Sequence, residues 1–130
     1  MSRVKHTPPR RRIVIVDDEV IVRESIRLAL EHAGYAVTAV EDHGTAMASI
    51  KAASPDLVVM DLYMPGGDGR EIMRAMKSDP ATAKTPVIVF TGSSEPIDVV
   101  TGLQSGAIEY LAKPVDGEVL LGKIRRILAR

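Results

Sequence analysis

The chain has 130 residues, no cysteine and no tryptophan, and 17 Lys plus Arg against 17 Asp plus Glu. That length fits one domain with its own apolar core, and the composition excludes disulfides, thiolate chemistry and cysteine zinc sites. Balanced charge, aromatics at 3% and no apolar run near the ~20 residues of a membrane span argue against a nucleic-acid platform and a membrane anchor.

Met1 to Arg12 lacks the apolar centre of a secretion signal. With no cysteine either, a cytoplasmic setting is expected. Residues 1–11, which include Pro8-Pro9 and Arg10-Arg11, read as a flexible basic tail, and residues 12–130 as the folded domain. From Ile13 the chain alternates short Val/Ile runs with longer helical segments. Strands are expected at Ile13–Val16, Ala36–Val40, Leu57–Met60, Val87–Thr91 and Ile108–Leu111. These runs are short, mainly apolar and rich in Val and Ile, as strands buried on both faces should be. Helices are expected at about 20–33, 43–53, 69–78, 95–105 and 116–129. Gly34 falls where a helix C-terminus needs it, Asp116 is placed as an N-cap, and Pro55 and Pro86 each precede a strand.

Five strands alternating with five helices predict an α/β fold, a flavodoxin-like three-layer sandwich. Its parallel sheet is doubly wound, with right-handed crossovers and strand order 2-1-3-4-5. That order sets the ends of strands one and three side by side at the switch point.

The first strand runs into Asp17-Asp18-Glu19 and the third into Asp61, which is followed by Leu62-Tyr63-Met64-Pro65-Gly66-Gly67-Asp68-Gly69. Asp17, Asp18 and Asp61 would bring about three negative charges together, which then share a proton or bind a cation. Hard oxygen donors without His or Cys point to Mg2+, with Mn2+ as an alternative. Strand four ends in Thr91-Gly92-Ser93, offering a hydroxyl to an oxyanion and room for a bulky donor. Lys113-Pro114 follows strand five and would bring one ammonium to the same edge, through an X-Pro bond of the kind where cis peptides occur. Such a site can hold a phosphoryl group.

With these pieces on one edge, the chain resembles the receiver domain of two-component response regulators, of the CheY-like kind. The resemblance runs from about Arg12 to the C-terminus. Its matching stretches are Ile15–Glu19, Pro55–Gly69, Pro86–Gly92 and Gly106–Pro114. It implies that Asp61 accepts a phosphoryl group from a phosphohistidine on a sensor histidine kinase or a histidine phosphotransfer protein. It further implies that Asp18, Asp61 and the backbone carbonyl of Tyr63 ligate Mg2+, with Asp17 acting largely through water. Lys113 pairs with the acyl phosphate and Thr91 bonds to it. Thr91 and Tyr110 form the switch, and the readout is the surface of helix four, strand five and helix five, which could also support a homodimer. Two departures are mild: Gly66-Gly67 replaces Gly followed by a larger residue, which is expected to loosen that loop, and Val115 stands where Phe or Leu is common.

Tyr63, two residues past the phosphoacceptor, is positioned to shield an acyl phosphate from water, whereas Ser93 is too small to do so. On the first helix Val22, Ile26, Ala29, Leu30 and Ala33 form the expected core stripe. Ile21, Ser25, Leu28 and His32 form an outward stripe suited to a kinase's helical bundle. Ile97, Val100 and Gln104 on the fourth helix could face a partner or a second copy. Lys123, Arg125, Arg126 and Arg130 complement the last helix's C-terminus or meet an acidic partner. His6, His32 and His43 have no ligand spacing.

The expectation is therefore a self-phosphorylating and slowly self-dephosphorylating switch, a weak enzyme in chemistry and a regulator in role. A docking-only receiver would not need the full set Asp17, Asp18, Asp61, Thr91 and Lys113. An aspartyl phosphatase would need an acid where Tyr63 stands, and a flavin carrier would be repelled by Asp17-Asp18. No output segment or DNA-binding element is legible after the last helix, so direct nucleic-acid contact is not expected.

Overall fold

A computed structural model describes residues 10–92 and 95–129. The elements are β1 (Arg12–Val16), α1 (Val20–His32), β2 (Ala36–Val40), α2 (His43–Ala53), β3 (Leu57–Asp61), α3 (Gly69–Ser78), β4 (Val87–Thr91), α4 (Pro96–Gln104), β5 (Glu109–Ala112) and α5 (Gly117–Leu128). A short antiparallel pair, Tyr63–Met64 with Gly67–Asp68, lies between β3 and α3. It has no counterpart in the expected elements, because two residues per strand carry no periodicity to read.

The five long strands form one parallel sheet in the order 2-1-3-4-5. Alternation along each strand feeds two separate cores. Val14, Val16, Val58, Met60, Val87 and Val89 face α2 and α3, meeting Ala46, Ile50, Ile72, Met73 and Met76. Ile13, Ile15, Leu57, Val59, Ile88 and Phe90 face α1 and α5, meeting Ile26, Leu30, Leu120 and Ile124. Central strands β1, β3 and β4 are buried on both faces, which is why they read as unbroken apolar runs. Edge strands β2 and β5 are only partly covered. The last strand is displaced by one residue from its expected place: Ile108 is 41% exposed and its amide bonds the Val87 carbonyl at 2.8 Å before the ladder begins.

Local chemistry sets the boundaries. α1 closes at Ala33 with Gly34 at φ 101, a left-handed position that glycine adopts without a Cβ penalty. Asp42 caps α2 by accepting from the Thr45 amide, and Asp116 caps α5 by accepting from the Glu118 and Val119 amides. Asp68 and Glu71 form a reciprocal capping box at the start of α3. On α1, Ile26 and Leu30 are buried and Val22 and Ala29 half-buried, but Ala33 is exposed because the helix has already ended there. Arg23, absent from the expected stripe, is buried with its guanidinium on the Asp17 carbonyl at 2.9 Å.

Residues 1–9, and with them Pro8-Pro9 and His6, lie outside the described residues, as do Ser93 and Arg130. Arg11, read as part of the tail, is held by the fold. Its carbonyl accepts from the Ala36 amide at 3.0 Å and its guanidinium reaches the Leu128 carbonyl at 3.1 Å. Among the described residues no helix is long and apolar enough to cross a membrane.

Candidate functional site

Parallel strands place their C-terminal ends along one edge, and the 2-1-3 order makes the ends of β1 and β3 neighbours. Register aligns Val16 with Met60, so Asp17 leaves β1 beside Asp61 at the end of β3. Both carboxylates are buried, Asp17 fully and Asp61 at 4% exposure. β4 and β5 bring Thr91 opposite Ala112, and the Lys113 amide bonds the Thr91 carbonyl at 2.8 Å. Lys113 thus leaves the sheet facing the acids across the edge, and its bond to Pro114 is cis.

The Lys113 ammonium lies 2.8 Å from Asp61 Oδ2, 3.2 Å from Asp17 Oδ2 and 2.6 Å from Glu19 Oε1. It also sits 5.2 Å from the centre of the Phe90 ring. Burial alone would push this ammonium's pKa down. Its hydrogen bonds to Asp61 and Glu19, with the charges of Asp61 and Asp17, outweigh that and hold it well above the usual lysine range. Burial raises the pKa of Asp17, against which the Glu19 amide, bonded at 2.9 Å, and Lys113 work only in part.

One cation therefore faces three carboxylates. Oxygens of Asp17, Glu19 and Asp61 all lie within 4.8 Å of one another. The Asp17 Oδ2 atom is buried and, although near the ammonium, has no hydrogen-bond partner. A buried carboxylate oxygen left in that state calls for a further cation. Oxygen donors alone fit a hard divalent ion such as Mg2+.

The sequence-expected residues are brought together unequally. Asp17, Asp61 and Lys113 are in contact, and Thr91 is buried at the adjoining strand end. Asp18 is half-buried, and its carboxylate is not among the three gathered oxygens. Glu19, which the sequence reading placed in the acidic cluster without a role, takes that position. Tyr63 opens the short strand pair, and its amide donates to Asp61 Oδ1 at 3.2 Å. Tyr110 is half-buried against the α3-side core, where a Cβ on Gly102 of α4 would lie 3.7 Å from its ring. Among the described residues, nothing comes within 4 Å of where a Cβ on Gly92 would stand, so the Thr91 side of the mouth is open. A separate concavity of about 810 Å3 between α3 and α4 is lined by Arg70, Arg74, Lys77 and Gln104, among others, and includes none of these acids.

The loop after Asp61 is shaped by two close approaches. A Cβ on Gly69 would stand 2.8 Å from the Asp61 carbonyl oxygen, so only glycine lets α3 start against the end of β3. A Cβ on Gly67 would meet the His43 ring at 2.4 Å. The space a larger residue would take is thus filled from α2.

Residues 13–125 match the response regulator receiver domain. The chain belongs to this family. Among curated relatives, the transcriptional regulatory protein CseB of Streptomyces coelicolor is 39% identical over 118 residues, covering 91% of this chain and 49% of the relative. The phosphate regulon transcriptional regulatory protein PhoB of Pseudomonas aeruginosa is 38% identical, covering 91% of this chain and 52% of its own length. The receiver thus spans about half the length of these relatives. Among solved structures, the chemotaxis response regulator CheY4 of Vibrio cholerae matches with TM-score 0.85 at 28% identity, covering 92% of this chain and 99% of that one. The receiver domain of the sensor histidine kinase PA1611 from Pseudomonas aeruginosa matches with TM-score 0.86 at 28% identity, covering 94% and 100%. That structure has a magnesium ion coordinated in its active-site cleft.

Proposed function

We propose that this receiver is a phosphorylation-dependent switch that takes a phosphoryl group on Asp61 from a histidine kinase or a histidine phosphotransfer protein. The observation that carries the reading is the burial of Asp61 and Asp17 around one ammonium, Lys113, at 2.8 and 3.2 Å. A carboxylate held among charged groups and shielded from bulk water is a nucleophile whose product, an acyl phosphate, the same groups can stabilise. An Asp61 oxygen attacks the phosphorus, the O–P bond forms, and the P–N bond breaks with its electron pair returning to the imidazole. Lys113 then pairs with a phosphoryl oxygen, and the Thr91 hydroxyl donates to another.

Asp17, Asp18, Asp61 and the Tyr63 carbonyl are the groups proposed to hold Mg2+, with Mn2+ as a substitute. When bound, the ion supplies positive charge against the excess of carboxylates and the incoming phosphate. Thr91 moving toward the phosphate leaves space for Tyr110 to turn, and the surface of α4, β5 and α5 changes with it. Ile97, Val100 and Leu103 are exposed on α4 and suit a partner or a second copy of the chain. The kinase would dock on α1, where Ile21 is 82% and Leu28 58% exposed. The proposal places the reaction in the cytoplasm and assigns this domain no direct nucleic-acid contact; control of transcription, as in the named relatives, would pass through another domain or partner.

The test is incubation with acetyl phosphate and Mg2+, followed by intact mass spectrometry. One added phosphoryl group per chain is expected, abolished by chelation or by Asp61→Asn. An unmodified wild-type chain, or modification that survives Asp61→Asn, would count against the proposal.

A further inference from the structure

Tyr63 is tied at both its backbone and its hydroxyl. Its backbone amide bonds Asp61 Oδ1 at 3.2 Å, while its hydroxyl donates to Asp98 Oδ1 in the first turn of α4. Arg70, near the start of α3, sits between them. Its NH2 group donates to the Tyr63 hydroxyl at 2.9 Å and to Asp68 Oδ2 at 2.8 Å, and its Nε to Asp68 Oδ1 at 3.0 Å. Its NH1 group meets Thr101 Oγ1 and lies 3.4 Å from Asp98 Oδ1. The guanidinium carbon also stacks 5.3 Å from the centre of the Tyr63 ring. All three guanidinium nitrogens are therefore engaged, and the Arg70 and Asp98 side chains are only 15% and 13% exposed. Swinging the Tyr63 ring, itself 44% exposed, further outward would strip a partner from both groups, so the arrangement favours one ring position.

We propose that Arg70 and Asp98 are positioning residues for self-dephosphorylation: they fasten the Tyr63 ring between the phosphoacceptor and α4, so that contacts on the output helix set the lifetime of the phosphate on Asp61. The inference rests on the phosphorylation of Asp61 proposed above. The residue is joined to the acceptor's carboxylate through its backbone amide and to the helix that carries the readout through its hydroxyl, so a shield mounted there cannot move independently of that helix. A partner that fixes α4 would then lengthen the phosphorylated state, and one that shifts α4 would shorten it.

The experiment phosphorylates the chain with acetyl phosphate and Mg2+, removes the donor, and follows loss of phosphate by intact mass. Tyr63→Ala should shorten the half-life by removing the shield. Tyr63→Phe, Asp98→Asn and Arg70→Lys keep the ring but loosen it, and each should shorten the half-life about threefold or more. The Tyr63→Phe/Asp98→Asn double variant should be no shorter than the singles, because both break the same bond. A second readout separates positioning from general damage. The Tyr63 ring, fixed between Asp98 and Arg70, should give a near-ultraviolet circular dichroism signal, assigned by its loss in Tyr63→Phe, that weakens in Asp98→Asn. Wild-type half-lives in Tyr63→Phe, Asp98→Asn and Arg70→Lys would overturn the inference, as would a shortened half-life in Asp98→Asn with the ring signal unchanged. A wild-type chain that takes no phosphate at all would instead overturn the proposed function, and this inference with it.

Discussion

At the scale of single residues, the site is a problem of uncompensated charge that Lys113 only half solves. Its side chain is 11% exposed and contacts three carboxylates. Removing one member of a buried ionic group costs about 3–5 kcal/mol, because the remaining charges lose their partner. Lys113→Ala is therefore expected to destabilise the metal-free protein by about that much near neutral pH. The pH dependence has a definite sign. Without the ammonium, burial and the neighbouring Asp61 charge act on Asp17 with less opposition, so Asp17 binds a proton more tightly folded than unfolded. The variant's deficit should then be smallest at low pH and grow as pH rises through the raised folded value. Urea midpoints for wild type and variant across the acid-to-neutral range check this, and a deficit that shrinks on raising the pH would contradict it. The meeting of Asp17, Asp61 and Lys113 at one sheet edge was legible in sequence because each follows an apolar run, whereas Glu19's place beside Lys113 was not. Three consecutive acids look alike until the turn after β1 decides which carboxylates reach Lys113.

Among the elements, the loop between β3 and α3 shows how segments far apart in sequence choose each other's residues. Gly67 and His43 are matched: one lacks a side chain where the other's ring lies. Gly67→Met should force the ring aside at a cost of about 1–3 kcal/mol, the range for overfilling a packed site. His43→Ala should relieve most of it, giving a coupling of at least about 0.5 kcal/mol in a double-mutant cycle. Denaturant unfolding of the four proteins measures it, and additive effects would disprove the pairing. The main elements were readable because their signals are local: alternating apolar runs, Gly34 after α1, Asp116 before α5. Even the capping box that opens α3 is written as Asp68-Gly69-Arg70-Glu71. The Arg70 clamp onto Tyr63, Asp98 and Thr101 was not readable, since no local pattern tells an arginine which helix will face it.

For the molecule as a whole, binding and stability are linked through the same carboxylates. Mg2+ held by the folded chain and not by the unfolded one should raise the melting temperature, with about 2.7 kcal/mol of stabilisation at a hundredfold excess over the dissociation constant. Thermal denaturation with and without Mg2+ should show this shift in wild type and its loss in Asp17→Asn. An equal shift in the variant would mean that the ion binds elsewhere. The sequence by itself determined the parallel sheet, its strand order and the edge where the acids gather. Runs of Val and Ile buried on both faces can be satisfied only by helices above and below, and right-handed crossovers leave few orders to choose from. Tertiary structure alone decided which acids face Lys113, what fills the space over Gly67, and how Tyr63 is bound to α4. Those depend on the directions of side chains from separate segments, and direction is set only when the layers pack.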